Sequence, residues 1–180
     1  MGRTLELATD SPEETRAVGR AVGRLLRPRD VVSLTGDLGA GKTTFVQGAA
    51  AALDVREPVL SPTFTLIREY QGQEALRIYH LDVYRLDRLQ DVLDLGFDEI
   101  LDQGGVVFIE WGDVIDALLP DDHLQLEIQL SGDDDASPPP DERRLRLWAT
   151  GDSWARRWPG LVEATRLWQV ASRDAAGGQG

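Results

Sequence analysis

Residues 30–52 read DVVSLTGDLGAGKTTFVQGAAAA. A β-branched run stopped by a glycine, followed by a glycine-rich loop and an alanine-rich segment, predicts strand, loop and helix in immediate succession. Within it, Gly36, Asp37, Leu38, Gly39, Ala40, Gly41, Lys42 and Thr43 fit the phosphate-binding pattern G-x-x-x-x-G-K-[ST]. Glycines let successive backbone N–H groups turn toward phosphate oxygens, and the start of the helix adds about half a positive charge. Lys42 is expected to reach the β- and γ-phosphates, and Thr43 to coordinate Mg²⁺ through its hydroxyl. Lys42 is also the chain's one lysine, beside eighteen arginines. A slim ammonium fits between phosphate oxygens where a planar guanidinium does not.

The surrounding pattern predicts an α/β fold: a P-loop NTPase with a mixed central sheet flanked by helices, a C-terminal antiparallel hairpin and a terminal helix. Residues 3–8 alternate as a strand, and Ser11, Pro12 and Glu14 supply a cap, a first helical residue and a capping-box glutamate for a helix to about Leu26. TLIREY and LRIYHLDVYRL follow as strands around the turn QGQE. DRLQDVLDLG predicts a short helix capped by Asp87 and stopped at Gly96. VVFIEW suits a strand buried on both faces. HLQLEIQL and RRLRLWA alternate strictly and should pair as a hairpin, joined by an acidic, proline-rich connector, SGDDDASPPPDE, expected to be exposed and mobile. A last helix is expected from about Pro159 to Ser172, with Leu161, Ala164, Leu167 and Trp168 as its apolar stripe. Residues 1–150 form the expected P-loop ATPase domain, and 151–180 a helical extension with a disordered tail.

Composition narrows the function. The 180 residues suit one compact domain. No apolar run approaches the roughly 18 residues of a membrane span, and no secretory core follows the start, which points to the cytoplasm. With no cysteine, disulfides, thiol nucleophiles and cysteine-bound metals are excluded. A net charge of −12 opposes direct grip on DNA or RNA phosphates. The last forty residues alone are positive, with 7 basic and 5 acidic side chains, which marks either an acidic partner's contact or a solvated face.

The loop needs an acid at the end of a second buried strand to hold the metal's water shell. Glu110 borders VVFIEW; otherwise it is an ordinary exposed strand end. Asp82 is a second candidate, or else a surface-turn residue paired with Arg85. Thr63, in SPTFTL, sits where a switch threonine would sense Mg²⁺ and the γ-phosphate, although Ser-Pro-Thr also opens strands for ordinary reasons. The chain contains no asparagine, so the guanine-reading Asn-Lys-x-Asp segment is missing and ATP is favoured over GTP.

GDLGAGKTTFVQG, SPTFTL, YHLDVYRL and IEWGD, in this order, resemble the bacterial TsaE (YjeE) family over roughly residues 10–130. That family is the small ATPase of tRNA threonylcarbamoyladenosine biosynthesis. The resemblance implies Mg²⁺-dependent ATP binding and slow hydrolysis. It also implies association with the transferase TsaD and its partner TsaB, in the pathway modifying adenosine 37 of tRNAs that read codons beginning with A. Gly39 to Thr44 would then cradle the phosphates, and Thr43 and Glu110 would serve the metal. Asp82 would assist the metal or the attacking water, Thr63 would act as the switch threonine, and Trp111 would be the family's tryptophan at the nucleotide site or a core residue. His80 and Arg85 are expected to be structural or partner-facing. After Trp111 the chain departs from the family pattern with GD, and again from GDSWARRWPG onward.

On this reading the catalytic set is Lys42, Asp82, Glu110 and Thr63, with ATP and Mg²⁺ as cofactors. TsaD and TsaB are the partners, tRNA is reached only indirectly, and neither a membrane nor DNA is involved. A partner, or a C-terminal arginine such as Arg143 or Arg144, is expected to supply any arginine finger. A P-loop small-molecule kinase and a nucleotide-gated binding module are the alternatives.

Overall fold

The computed structural model describes residues 3–86, 88–131 and 142–170. Seven strands form one mixed sheet in the order β1-β7-β6-β2-β5-β4-β3. They are β1 (Thr4–Thr9), β2 (Val31–Thr35), β3 (Ile67–Gln71), β4 (Arg77–Asp82), β5 (Val106–Glu110), β6 (His123–Leu130) and β7 (Arg143–Thr150). β6, β2, β5 and β4 run parallel and form the centre. β3 closes one side antiparallel, and β7 and β1 close the other. Strands from both ends of the sequence thereby share the β1–β7 edge.

Burial follows the side-chain alternation of a strand. On β5, Val106 and Phe108 point into the larger core with Phe45, Leu34 and Trp154. Val107 and Ile109 point to the opposite face, into a second core with Leu81, Phe97 and Ile115. α1 (Pro12–Gly23), α2 (Lys42–Ala52) and α5 (Asp152–Ala164) supply the first layer, and α3 (Leu89–Asp94) and α4 (Phe97–Asp102) the second. This double burial explains why VVFIEW is continuously apolar.

α1 begins as its capping residues require. Ser11 is the N-cap and its hydroxyl accepts the Glu14 N–H, while the Glu14 carboxylate accepts the Asp10 N–H at 2.8 Å. α1 and α2 then cross with almost no side chain between them. A Cβ on Gly19 would stand 2.1 Å from the Phe45 carbonyl oxygen, and one on Gly48 would stand 1.9 Å from that of Arg16.

Two strand expectations are corrected. β3 starts at Ile67 rather than Thr65, because the Thr65 and Leu66 N–H groups both bond back to the Pro62 carbonyl and Leu66 turns with φ 65°. β4 stops at Asp82 instead of running to Leu86, since the Asp82 carboxylate accepts the Tyr84 N–H and turns the chain. Beyond Gly96, at φ 81°, the chain forms a second short helix, α4, that the pattern did not announce. α3 is flanked by Arg88 at the N-cap; its expected cap, Asp87, lies outside the described residues.

The terminal helix begins at Asp152 and carries Pro159 in its interior, not at its start. Two tertiary contacts set that beginning. Asp122 Oδ1 accepts the Ser153 N–H at 2.8 Å, and Arg157 forms a two-pronged pair with Asp30 at 2.6 and 2.7 Å. Trp154, Trp158 and Leu161 pack into the larger core, so the helix tolerates the bond that proline removes. Of the expected stripe Leu161 is buried but Leu167 is 73% exposed. Most of the acidic connector, the tail and Ser172 lie outside the described residues.

Candidate functional site

The parallel register brings the site together. Glu110 pairs with Leu34 on one side and Asp82 on the other, so the ends of β2, β5 and β4 stand abreast, roughly 4.8 Å apart per strand. The chain leaving β2 becomes the glycine loop. Gly36, Gly39 and Gly41 have φ of 126°, 79° and 114°. Gly36 also packs so closely on β6 that a Cβ would meet the Ile128 carbonyl oxygen at 2.0 Å. α2 then starts at Lys42 with Gly41 as N-cap and no side-chain capping bond, which leaves its first N–H groups for another acceptor.

Lys42 is 4% exposed. Its Nζ donates to the carbonyls of Gly36 at 2.6 Å and Asp37 at 2.8 Å, and it lies 4.0 Å from the centroid of the Trp111 ring. Desolvation by burial holds its pKa below the ordinary 10.5, against the opposing pull of Glu110, Asp82, Asp37 and Asp113. Trp111 reaches it from a left-handed backbone, φ 64°, and packs on Tyr84 with ring centroids 4.8 Å apart and planes tilted by 43°. Trp111 also packs against the second core, as its expected reading as a core residue requires.

Two hydroxyl–carboxylate pairs face this lysine. Thr43 Oγ1 donates to Glu110 Oε1 at 2.6 Å, and His80 Nε2 lies 2.8 Å from that same oxygen. Thr63 Oγ1 donates to Asp82 Oδ2 at 2.9 Å. Because that spends the Thr63 proton, Ser61, whose Oγ is 2.7 Å away, is the donor in the next link. The cleft between the pairs is lined by Gly39, Lys42, Thr43, Ser61, Asp82 and Trp111, among others.

Glu110 is therefore no exposed strand end; it is 4% exposed and doubly bonded. Asp82 engages Thr63 and the Tyr84 N–H, while Arg85 lies 5.1 Å from the Phe64 ring instead. His80 is fully buried and structural; Arg85 is exposed. Ala40 is buried and Leu38 is 83% exposed at the cleft mouth. Arg143 and Arg144 are not among the residues lining the cleft. Sequence reasoning missed Ser61, Tyr84 and the hold that Arg143 has on Ala40. Only the Ser61 contact, two residues from Thr63, had a local signal.

The family model for "Threonylcarbamoyl adenosine biosynthesis protein TsaE" matches residues 9–138. The chain belongs to the TsaE family. A TsaE from Bacillus subtilis, described as a tRNA threonylcarbamoyladenosine biosynthesis protein, is 41% identical over 152 residues, covering 84% of this chain and 90% of that one. The Streptomyces coelicolor TsaE is 37% identical, covering 78% and 93%. The crystal structure of Bacillus subtilis YdiB superposes with a TM-score of 0.72 at 37% identity, covering 93% of this chain and 97% of that chain. The α/β fold with its mixed sheet is thus the fold of a solved TsaE-type structure. Among the described residues, no helix of this TsaE chain is long and apolar enough to cross a membrane.

Proposed function

We propose that this TsaE chain is a cytoplasmic P-loop ATPase. It binds ATP with Mg²⁺ and hydrolyses it to ADP and phosphate. The cycle drives a TsaD–TsaB assembly that forms N6-threonylcarbamoyladenosine at position 37 of tRNAs reading codons beginning with A. The observation that carries the reading is the pair of bonds Thr43–Glu110 and Thr63–Asp82 flanking one buried lysine at an uncapped helix start. Family membership supports the tRNA pathway. The net charge of −12 favours a role exerted through protein partners over direct contact with tRNA.

The donor set suits magnesium: one hydroxyl and two carboxylates, all hard oxygens, with no cluster of three or more His, Cys, Asp or Glu caging an ion among the described residues. Such an open set leaves room for phosphate oxygens and water. Bound there, Mg²⁺ would neutralise charge on the phosphates. The protein's own groups account for the rest. The loop and first-turn N–H groups of α2 receive phosphate oxygens, and Lys42 exchanges two backbone carbonyls for them. His80 fixes the Glu110 carboxylate. Asp82, aimed by Thr63, accepts a hydrogen bond from the attacking water. Water adds to the γ-phosphorus, the bond to the β–γ bridging oxygen breaks, and the leaving charge departs on ADP.

The test is to follow ATP labelled at the γ-phosphate, incubated with this protein, Mg²⁺, TsaD and TsaB. Label appearing as free phosphate, together with modified tRNA, is the expected result. Label accumulating in a metabolite would make the protein a kinase. Modified tRNA without any phosphate release would make it a nucleotide-gated binding module.

A further inference from the structure

Arg143 opens β7 opposite Leu130, yet its side chain serves the glycine loop. It is 8% exposed, and its Nε–H donates to the Ala40 carbonyl at 2.9 Å across 103 residues of sequence. Gly41 lies against the same side chain; a Cβ there would stand 3.2 Å from Arg143 Nε. The bond has a directional consequence. In a trans peptide the carbonyl of one residue and the N–H of the next point in opposite directions, and the described residues hold no cis peptide. Holding the Ala40 carbonyl toward Arg143 turns the Gly41 N–H away from it, and Gly41 lines the cleft.

The hairpin also supports the loop's other end, where Gly36 rests on the Ile128 carbonyl.

We propose that Arg143 is a positioning residue for ATP, holding the Ala40–Gly41 peptide with its N–H aimed at phosphate. It lies beyond the family-matched residues 9–138, and through its bond to Ala40 the strand β7 takes part in holding the loop. Its role is a brace under the loop, not a finger reaching into the cleft. The proposal rests on the ATP reading above.

Calorimetric titration with Mg²⁺–ATP on the full chain, with phosphate release followed in parallel, tests it. Arg143→Gln should weaken the Kd about tenfold, the scale of one lost charge-assisted bond. Arg143→Lys, which keeps charge but not the fork, should weaken it about threefold. kcat at saturating ATP should stay within about twofold, as expected for lost ground-state binding. Arg144→Gln, on the exposed side of β7, should retain parental affinity. A folded Arg143→Gln with parental Kd, or with kcat lost and Kd kept, overturns the proposal. Should that variant fail to fold, the Arg143 Nε–H resonance of the parent chain decides: it should shift with ATP and not with adenosine, and an unmoved resonance overturns the role. A parent chain that binds no ATP overturns the nucleotide reading itself.

Discussion

The Thr43 hydroxyl donates to Glu110 Oε1 at 2.6 Å, tying the first turn of α2 to the end of β5 across 67 residues of sequence. With His80 on the same oxygen, Glu110 is held from two sides before any ligand arrives. Its work should therefore lie in the reaction more than in ATP affinity. Glu110→Gln is expected to lower the rate of phosphate release about a hundredfold, the scale of losing one preorganised electrostatic group. ATP affinity should stay within a few-fold. Steady-state release and equilibrium titration separate the two, and equal losses in both would contradict this division of labour.

Lys42 should set an alkaline limit. Burial lowers its pKa from 10.5, so the free protein loses the ammonium at a lower pH than an exposed lysine does. Only the ammonium can pair with phosphate. kcat/KM, which reports free enzyme, should then fall on the alkaline side with an apparent pKa below 10.5. The limb in kcat should lie higher, because bound phosphates favour the charged form. Parallel pH profiles of the two constants check the order, and coincident limbs would contradict it.

What was readable in the chain was what is local. The glycine loop, the apolar run of β5 and the Ser11–Glu14 start of α1 each carry their signal within a few residues, and each formed where expected. Asp82 was ambiguous locally, because Arg85 three residues on offered an equally good partner. The parallel β4–β5 register sets Asp82 beside Glu110, and its carboxylate bonds Thr63 and the Tyr84 N–H. α5 was misjudged because its start is fixed by Asp122 and Asp30, far away in sequence, while the nearest cue, Pro159, pointed to a later beginning. The grip of Arg143 on Ala40 had no local trace at all.

The crossing of α1 and α2 depends on a missing side chain. A Cβ at Gly48 would stand 1.9 Å from the Arg16 carbonyl oxygen and 3.0 Å from the Arg20 nitrogen, and backbone cannot move aside as a flexible side chain would. Gly48→Ala gains about 1 kcal/mol of helix propensity, but forced separation of the helices should outweigh it, for a net loss of about 1–3 kcal/mol. A fall in Tm of roughly 2–4 °C per kcal/mol is expected. An unchanged or raised Tm would mean that the helices part without cost.

Asp30 and Arg157 make the sharpest test of how the last helix is held. Their side chains are 10% and 7% exposed, the two bonds are 2.6 and 2.7 Å, and Arg157 also donates to the Leu25 carbonyl and stacks 3.9 Å from the Trp154 ring centroid. Removing either partner leaves a buried charge unanswered, so Asp30→Asn and Arg157→Met should each cost about 3–5 kcal/mol in denaturant unfolding. The double variant leaves no such charge. Its loss should fall short of the sum of the single losses by about 1–3 kcal/mol. Additive losses would show that the residues stabilise the fold separately, through the Arg27 N–H that Asp30 accepts and the Trp154 ring beneath Arg157, and that the ion pair itself does not anchor α5.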